Sequence, residues 1–147
     1  MENINKIKAS IISIAGLIGS VAAHFLGGWD MALQTLVIFM GIDYLTGLLV
    51  AGVFHNSGKS QNGALESRAG WKGLCRKGMT LLIVLVAGQL DKVAGTDVIR
   101  NAAIIAYIVN ETISIIENAG LMGLPIPSII RKALDLLSKQ AEGSEVK

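Results

Sequence analysis

The stretch "NETISIIENAG", residues 110–120, decides which kind of protein this chain forms. It places two carboxylates, Glu111 and Glu117, in a run that is otherwise apolar enough to be buried, with no His or Cys beside them. Of the 147 residues, 52% are hydrophobic and 16% are charged, and the mean hydropathy is +0.56. A soluble domain of this size exposes too much surface to hide so many apolar side chains. We therefore expect an all-α membrane protein.

Four apolar segments of about twenty residues are each long enough to cross a bilayer as a helix. Their approximate limits are 9–29, 31–54, 74–93 and 98–119. With an amphipathic helix over 128–140, they would form a single domain of residues 1–147. Two alternatives stay open: the fourth segment could lie on the membrane surface, and the first could be a secretory signal. Against the second, the apolar run continues past the cleavage-like "SVA" at 20–22.

The residues after the fourth segment end one helix and begin another. Gly120, Gly123, Pro125 and Pro127 interrupt a helix, because neither residue type continues it comfortably. From Ser128, Ile and Leu alternate with charged residues in an amphipathic pattern. Such a helix suits the anionic inner leaflet of a membrane. The alternative is a soluble helix that makes contacts within an oligomer.

The distribution of basic residues predicts the orientation in the membrane. Eleven of the 13 Lys and Arg residues lie before the first segment, around the second connection or after the fourth segment. Because Lys and Arg are retained on the cytoplasmic side, both termini and the middle loop are expected there, with four crossings between them. The residues expected at the membrane surface are Arg68, Lys72, Arg76, Lys77, Arg131 and Lys132.

Small residues recur every four positions in the first segment, which gives one helix face a smooth ridge. Helices in lipid associate through close backbone approach along such ridges, so we expect this face to be an interface and the protein to be oligomeric. The second segment repeats the spacing. The residues concerned are Ala15, Gly19, Ala23, Gly27, Gly47 and Ala51.

Five polar residues of the fourth segment fall on one side of a helix, within a stripe about 60° wide, and Asn110 and Glu117 flank it. The five are Arg100, Tyr107, Glu111, Ser114 and Asn118. An ionised residue at the bilayer centre costs about 2.5 kcal/mol or more, so such residues normally face a bundle interior or water. We expect the buried acids to be accommodated only when several copies meet. Alternatively, Glu117 is solvated near the membrane edge and Arg100 reaches outward to the surface. The candidate pore-lining or buried residues are Asp43, Arg100, Tyr107, Glu111, Ser114, Glu117 and Asn118.

Several other functions are not supported by the residues present. The two His residues and the single Cys offer neither a metal-ligand spacing nor a nucleophile with its base, so we expect no enzyme, metal or cofactor. The "SGKS" at 57–60 lacks the upstream glycine of a phosphate-binding loop. A net charge of +2, with two Trp and two Tyr, does not favour nucleic acid.

Three stretches carry a resemblance to the phage-lysis and toxin-secretion holin family: "GIDYLTG" at 41–47, "SRAGWKGLCRKG" at 67–78 and "NETISIIENAGLMGLPIPSIIRKAL" at 110–134. The third is the most specific. The motif positions that can be carried over are Asp43, Gly47, Gly70, Gly73, Lys77, Glu111, Glu117, Gly123, Pro125 and Pro127.

The resemblance implies a protein of the bacterial cytoplasmic membrane that oligomerises and opens lesions, releasing an endolysin or an exported toxin and lysing the host cell. It implies no catalytic site. Many holins have fewer spans than the four counted here. Two other functions remain open from the residues alone: a small four-helix proton-coupled transporter, in which a buried acid binds protons and a cationic substrate in alternation, and a passive assembly scaffold.

Overall fold

The structure is a computed structural model that describes residues 1–59 and 66–143. This part of the chain is helical, without strands, and holds five helices. They are α1 (Glu2–Phe25), α2 (Met31–Gly52), α3 (Ser67–Ala94), α4 (Val98–Leu121) and α5 (Ser128–Gly143). The first four are long and apolar enough to cross a membrane. The predicted all-α membrane fold is thus confirmed, including a fourth helix of spanning length.

Two helix limits differ from the sequence prediction in ways that matter for the site. α1 ends at Phe25, four residues before the predicted end, because Gly27 and Gly28 have φ of +88° and +104° and form a turn. α3 begins at Ser67, seven residues before the predicted start. Its 28 residues give it a length of about 42 Å, which exceeds the hydrocarbon core, so its first turns reach the interface.

The bundle is built around α4, which packs extensively on α2 and α3. Its core is a small cluster of apolar side chains, and the outer faces of the helices carry many exposed apolar residues, as expected for surfaces that meet lipid. The buried members of the core are Leu26, Leu33, Leu36, Met40, Val84 and Ile104.

The first helix stands apart from this bundle. α1 has no buried residue and makes only a slight contact with α3. Its apolar side chains are exposed along its whole length. The fold therefore consists of three packed spanning helices and one spanning helix that is nearly free of intramolecular packing.

The connections between the helices gather at the two ends of the bundle. The α1–α2 and α3–α4 turns meet at one end, where Arg100 of α4 donates to the Gly28 carbonyl. At the other end, the Asn56 amide donates to the Leu121 carbonyl at 3.3 Å, which joins the α2–α3 connection to the end of α4. Consecutive spanning helices therefore run in opposite directions.

Candidate functional site

Three charged side chains meet inside the bundle, one from each packed helix. The Lys77 ammonium of α3 lies 2.8 Å from Asp43 Oδ2 of α2 and 2.5 Å from Glu111 Oε2 of α4. The three side chains are 13%, 10% and 7% exposed, in the order Lys77, Asp43, Glu111. We call this cluster the charge triad. Asp43 and Glu111 lie about 18 and 20 Å along their helices, so the triad sits near the middle of the span.

The acid of α2 is held by a second contact from α4. The Asn118 amide nitrogen donates to Asp43 Oδ1 at 3.1 Å and to the Thr46 hydroxyl at 2.9 Å. Gly47 lies opposite, and a Cβ atom there would be 3.8 Å from the Asn118 nitrogen, at ordinary contact distance. Both carboxylate oxygens of Asp43 consequently have a donor.

The two carboxylates of the charge triad are not equally satisfied. Asp43 accepts from Lys77 and Asn118, whereas Glu111 accepts through Oε2 alone, from Lys77. Within the described part of the chain, no donor reaches Glu111 Oε1. With all three groups ionised, the triad carries one excess negative charge, which is costly at this depth. The cluster therefore holds α2, α3 and α4 together, but the negative charge of Glu111 on α4 is only partly compensated.

A cavity of about 510 Å³ leads from the α2–α3 connection to the charge triad. Its polar lining includes Ser57, Lys59 and Glu66 near the connection, and Asn110 and Ser114 beside the triad. The three triad residues also contribute to its wall. The buried charges are thus adjacent to a space that is large enough to hold water.

A second network fixes the opposite end of the bundle. Arg100 donates to the Leu26 carbonyl, to the Gly28 carbonyl at 3.1 Å and to Asp30 Oδ2 at 2.6 Å. The Asp91 carboxylate, from the last turn of α3, accepts the Arg100 backbone N–H at 2.7 Å and so caps the start of α4. Because the Arg100 guanidinium donates to Asp30, the pKa of that carboxyl is lowered. We call these contacts the Arg100 network.

The predicted polar stripe of α4 faces the other helices of the same chain. Arg100, Glu111 and Asn118 are buried in the two networks. Tyr107 is half-buried against the apolar core, and Ser114 is half-buried beside the cavity. Glu117, in contrast, is exposed.

Three expectations from the sequence are corrected by these placements. Lys77 does not lie at the membrane surface, because α3 begins early and places it ten residues inside the helix. Gly27 does not belong to a helix ridge, because it lies in the turn after α1, against the Arg100 side chain. Asp43 and Glu111 do not need further copies for a partner, since Lys77 of the same chain lies between them.

The remaining predicted residues are placed as follows. On α1, Ala15 and Gly19 are exposed and Ala23 is half-buried. On α2, Gly47 is half-buried and Ala51 is buried, and both line the cavity. The basic residues with exposed positions are Arg68, Lys72, Arg76, Arg131 and Lys132.

The roles of Lys77, Asp30 and Asp91 were missed in the sequence. A signal existed for Asp30, because an Asp immediately before an apolar helix is a typical N-cap, and its carboxylate accepts from the Leu33 N–H at 2.9 Å. For Lys77, the partners lie on other helices, and no local pattern indicates them. Asp91 accepts hydrogen bonds from Thr96 and from the first backbone N–H groups of α4, which lie within nine residues of it. Across residues 1–59 and 66–143, no group of three or more His, Cys, Asp or Glu side chains could hold a metal ion.

Four spanning helices, with charges paired inside the bundle, define a multi-pass helical membrane protein. The chain belongs to the bacteriophage holin family, whose model matches residues 20–139. It is therefore a multi-pass protein of the cytoplasmic membrane, and the holin family is not a family of enzymes.

Relatives cover most of the chain. It is 38% identical over 143 residues to an uncharacterized 14.9 kDa protein in the nagH 3' region of Clostridium perfringens, covering 95% of this chain and 99% of the relative. It is 31% identical over 118 residues to a probable holin of Bacillus phage phi105, covering 80% of this chain and 82% of the relative. The protein YqxH of Bacillus subtilis is 32% identical over 126 residues, covering 85% and 84%. No solved structure matches the chain.

Proposed function

We propose that this protein is a holin that accumulates and oligomerises in the bacterial cytoplasmic membrane and opens lesions there. An endolysin or an exported toxin would pass through them, and the host cell would lyse. The observation that carries the proposal is the family match over residues 20–139, which includes all the residues of the charge triad. Similarity to a probable holin of a Bacillus phage supports it.

The pairing of charges within one chain suggests how such a protein remains harmless before lysis. Each buried charge of a single copy has a partner in the same bundle, so a lone copy exposes none of the triad charges to lipid. Opening would require α3 to move away from α2 and α4, which brings the charge triad into contact with water. Polar side chains in a membrane are tolerated when they face water or each other.

The nearly free helix α1 is the proposed contact between copies. Its small residues Ala15 and Gly19 are exposed, and no atom lies within 4 Å of a Cβ atom built at Gly19. Close helix approach in lipid depends on such small residues. A second copy of α1 could therefore pack there without disturbing the three-helix bundle.

We propose an orientation with both termini and the α2–α3 connection in the cytoplasm. The basic residues gather at that end, and the antiparallel order of the four helices supports an even number of crossings. Ser57→Cys in a Cys75→Ser background tests this. Labelling of position 57 by a membrane-impermeant maleimide only after the cells are opened is the expected result, and labelling of intact cells would overturn it.

Induced expression in bacteria tests the lytic function, with membrane potential and the release of size-graded solutes as readouts. Expression of the wild-type chain is expected to abolish the potential at a reproducible time. Glu111→Gln leaves a neutral Asp43–Lys77 pair, so the closed bundle becomes more stable and the onset is delayed. Glu117→Gln is the matched control, because this acid is on the same helix but exposed, and its onset should equal that of the wild type. An intact potential at high expression would refute the proposal.

The second candidate function is a small proton-coupled transporter. The observation that favours it is the unequal pairing of Glu111 and Asp43 around one Lys77, next to a cavity of about 510 Å³. It predicts sealed vesicles that exchange protons for a cationic substrate. Vesicles that instead leak solutes without selectivity would exclude it in favour of the holin.

A further inference from the structure

Two neighbouring cavities form an amphipathic slot between α2 and α3. The polar cavity of about 510 Å³ adjoins a cavity of about 420 Å³, and the two share Tyr44, Leu48, Glu66 and Gly70 in their walls. The second cavity is otherwise bordered by Ser67 and by the exposed apolar side chains of Trp71 and Leu74. A polar chamber therefore lies next to an apolar groove on the outer face of the bundle, with these four shared residues between them.

The slot exists because α2 and α3 barely touch. α2 packs mainly on α4, and its contact with α3 is slight. Where the two helices come near each other, Gly70 and Gly73 of α3 face the Tyr44 ring of α2. Cβ atoms built at these glycines would lie 3.5 Å from the Tyr44 hydroxyl and 3.9 Å from the ring. Larger residues at either position would extend into the space between the helices.

The charged side chains around the polar chamber indicate the charge of a ligand that would bind there. Lys59, Lys72 and Arg76 line it, and none of them forms an ion pair within the described part of the chain. Outside the charge triad, Glu66 is the one acid among its lining residues. Residues 60–65 of the same connection carry no formal charge. The mouth of the chamber therefore has an excess of two positive charges.

We propose that this slot binds one anionic phospholipid, with its phosphate near Lys72 and Arg76, Trp71 beside its headgroup and an acyl chain along Leu74. Basic pockets between membrane helices bind anionic headgroups, and a Trp in the first turns of a spanning helix lies at headgroup level. The apolar groove favours a lipid over a free anion, because a soluble phosphate would leave that groove unfilled. This proposal does not depend on the lytic function.

The native tryptophans allow a direct test with the full-length chain. Trp29→Phe leaves Trp71, which is 67% exposed and borders the groove, as the single tryptophan. Its quenching is titrated in bilayers that contain increasing mole fractions of either brominated phosphatidylglycerol or brominated phosphatidylcholine. We expect phosphatidylglycerol to quench at a several-fold lower mole fraction. Lys72→Gln with Arg76→Gln should abolish this preference, because each charge contributes at most about fivefold.

A matched control separates a site from general surface attraction. Arg68→Gln with Arg131→Gln also removes two exposed basic residues, but neither residue lines the slot, so the preference should remain. Equal quenching by the two lipids would overturn the proposal, as would an equal loss of preference in the control variant. Displacement by glycerol phosphate at constant ionic strength would also overturn it, because the site would then be one for a free anion.

Discussion

Replacing Lys77 by Met removes the ammonium that Asp43 and Glu111 share. The substitution breaks two ion pairs, of 2.8 and 2.5 Å, between side chains that are at most 13% exposed. Removing one member of a buried ion pair destabilises a protein by about 3–5 kcal/mol, because the remaining charge is left without a partner. This corresponds to a change of between two and four powers of ten in the folding equilibrium. The closed bundle should therefore open more easily, and potential loss during expression should begin earlier than in the wild type.

The assay is reversible unfolding in mixed micelles by increasing amounts of sodium dodecyl sulfate, followed by circular dichroism. Lys92→Met is the matched control, since this residue is on the same helix but exposed, and its free energy of unfolding should change by about 0.5 kcal/mol or less. A triple variant, Asp43→Asn with Lys77→Met and Glu111→Gln, has no charge left in the cluster and should recover most of the stability. The reasoning is refuted if Lys77→Met behaves like Lys92→Met, or if the triple variant is no more stable than Lys77→Met.

The remaining predictions concern the Arg100 network, and all are measured by the same unfolding assay. Gly27→Ala should destabilise the protein by about 2–3 kcal/mol, because φ is +88° and the added Cβ would lie 2.7 Å from Arg100 Nε. Gly28→Ala should destabilise it by only about 1 kcal/mol, because φ is +104° but the space around the added Cβ is open. Equal losses of stability would contradict the predicted clash. Arg100→Lys should cost about 2 kcal/mol, because an ammonium cannot reproduce the separate bonds of the guanidinium, and an unchanged stability would show that those bonds are dispensable. The Arg100 hydrogen bond lowers the pKa of Asp30 from 3.8, so the stability that this bond contributes is present above that pH and is lost as the pH falls below it. The expected contribution is about 1 kcal/mol or less, because the Asp30 side chain is 46% exposed. A wild-type stability that does not fall relative to that of Asp30→Asn between pH 5 and 3 would argue against this coupling.

Hydropathy predicted the spanning helices because the bilayer imposes a length on each of them, whatever their neighbours. The inward direction of Arg100, Glu111 and Asn118 was also predictable, since helical periodicity places them on one side of α4. These properties depend on one helix at a time. They could therefore be read from the sequence without knowledge of the packing.

The partners of the buried charges depend on packing and were not predictable in the same way. Lys77 resembled a surface residue because the apolar run of α3 starts near Leu74, whereas the helix itself begins at Ser67. Its ammonium then reaches carboxylates 34 residues away in both directions along the chain. The end of α1 was missed for a different reason: the Gly27–Gly28 pair was counted as a small-residue ridge, although two adjacent glycines also indicate a turn.

The separation of α1 from the other helices has a consequence for how the sequence can change over time. Substitutions on a helix without buried residues do not disturb the packing of α2, α3 and α4, so α1 can vary without loss of the fold. The family match begins at residue 20, near the end of this helix. We expect chimaeras that exchange α1 between relatives to fold normally and to differ in how they recognise copies of themselves. Assembly preferences could thus evolve independently of the bundle that holds the charges.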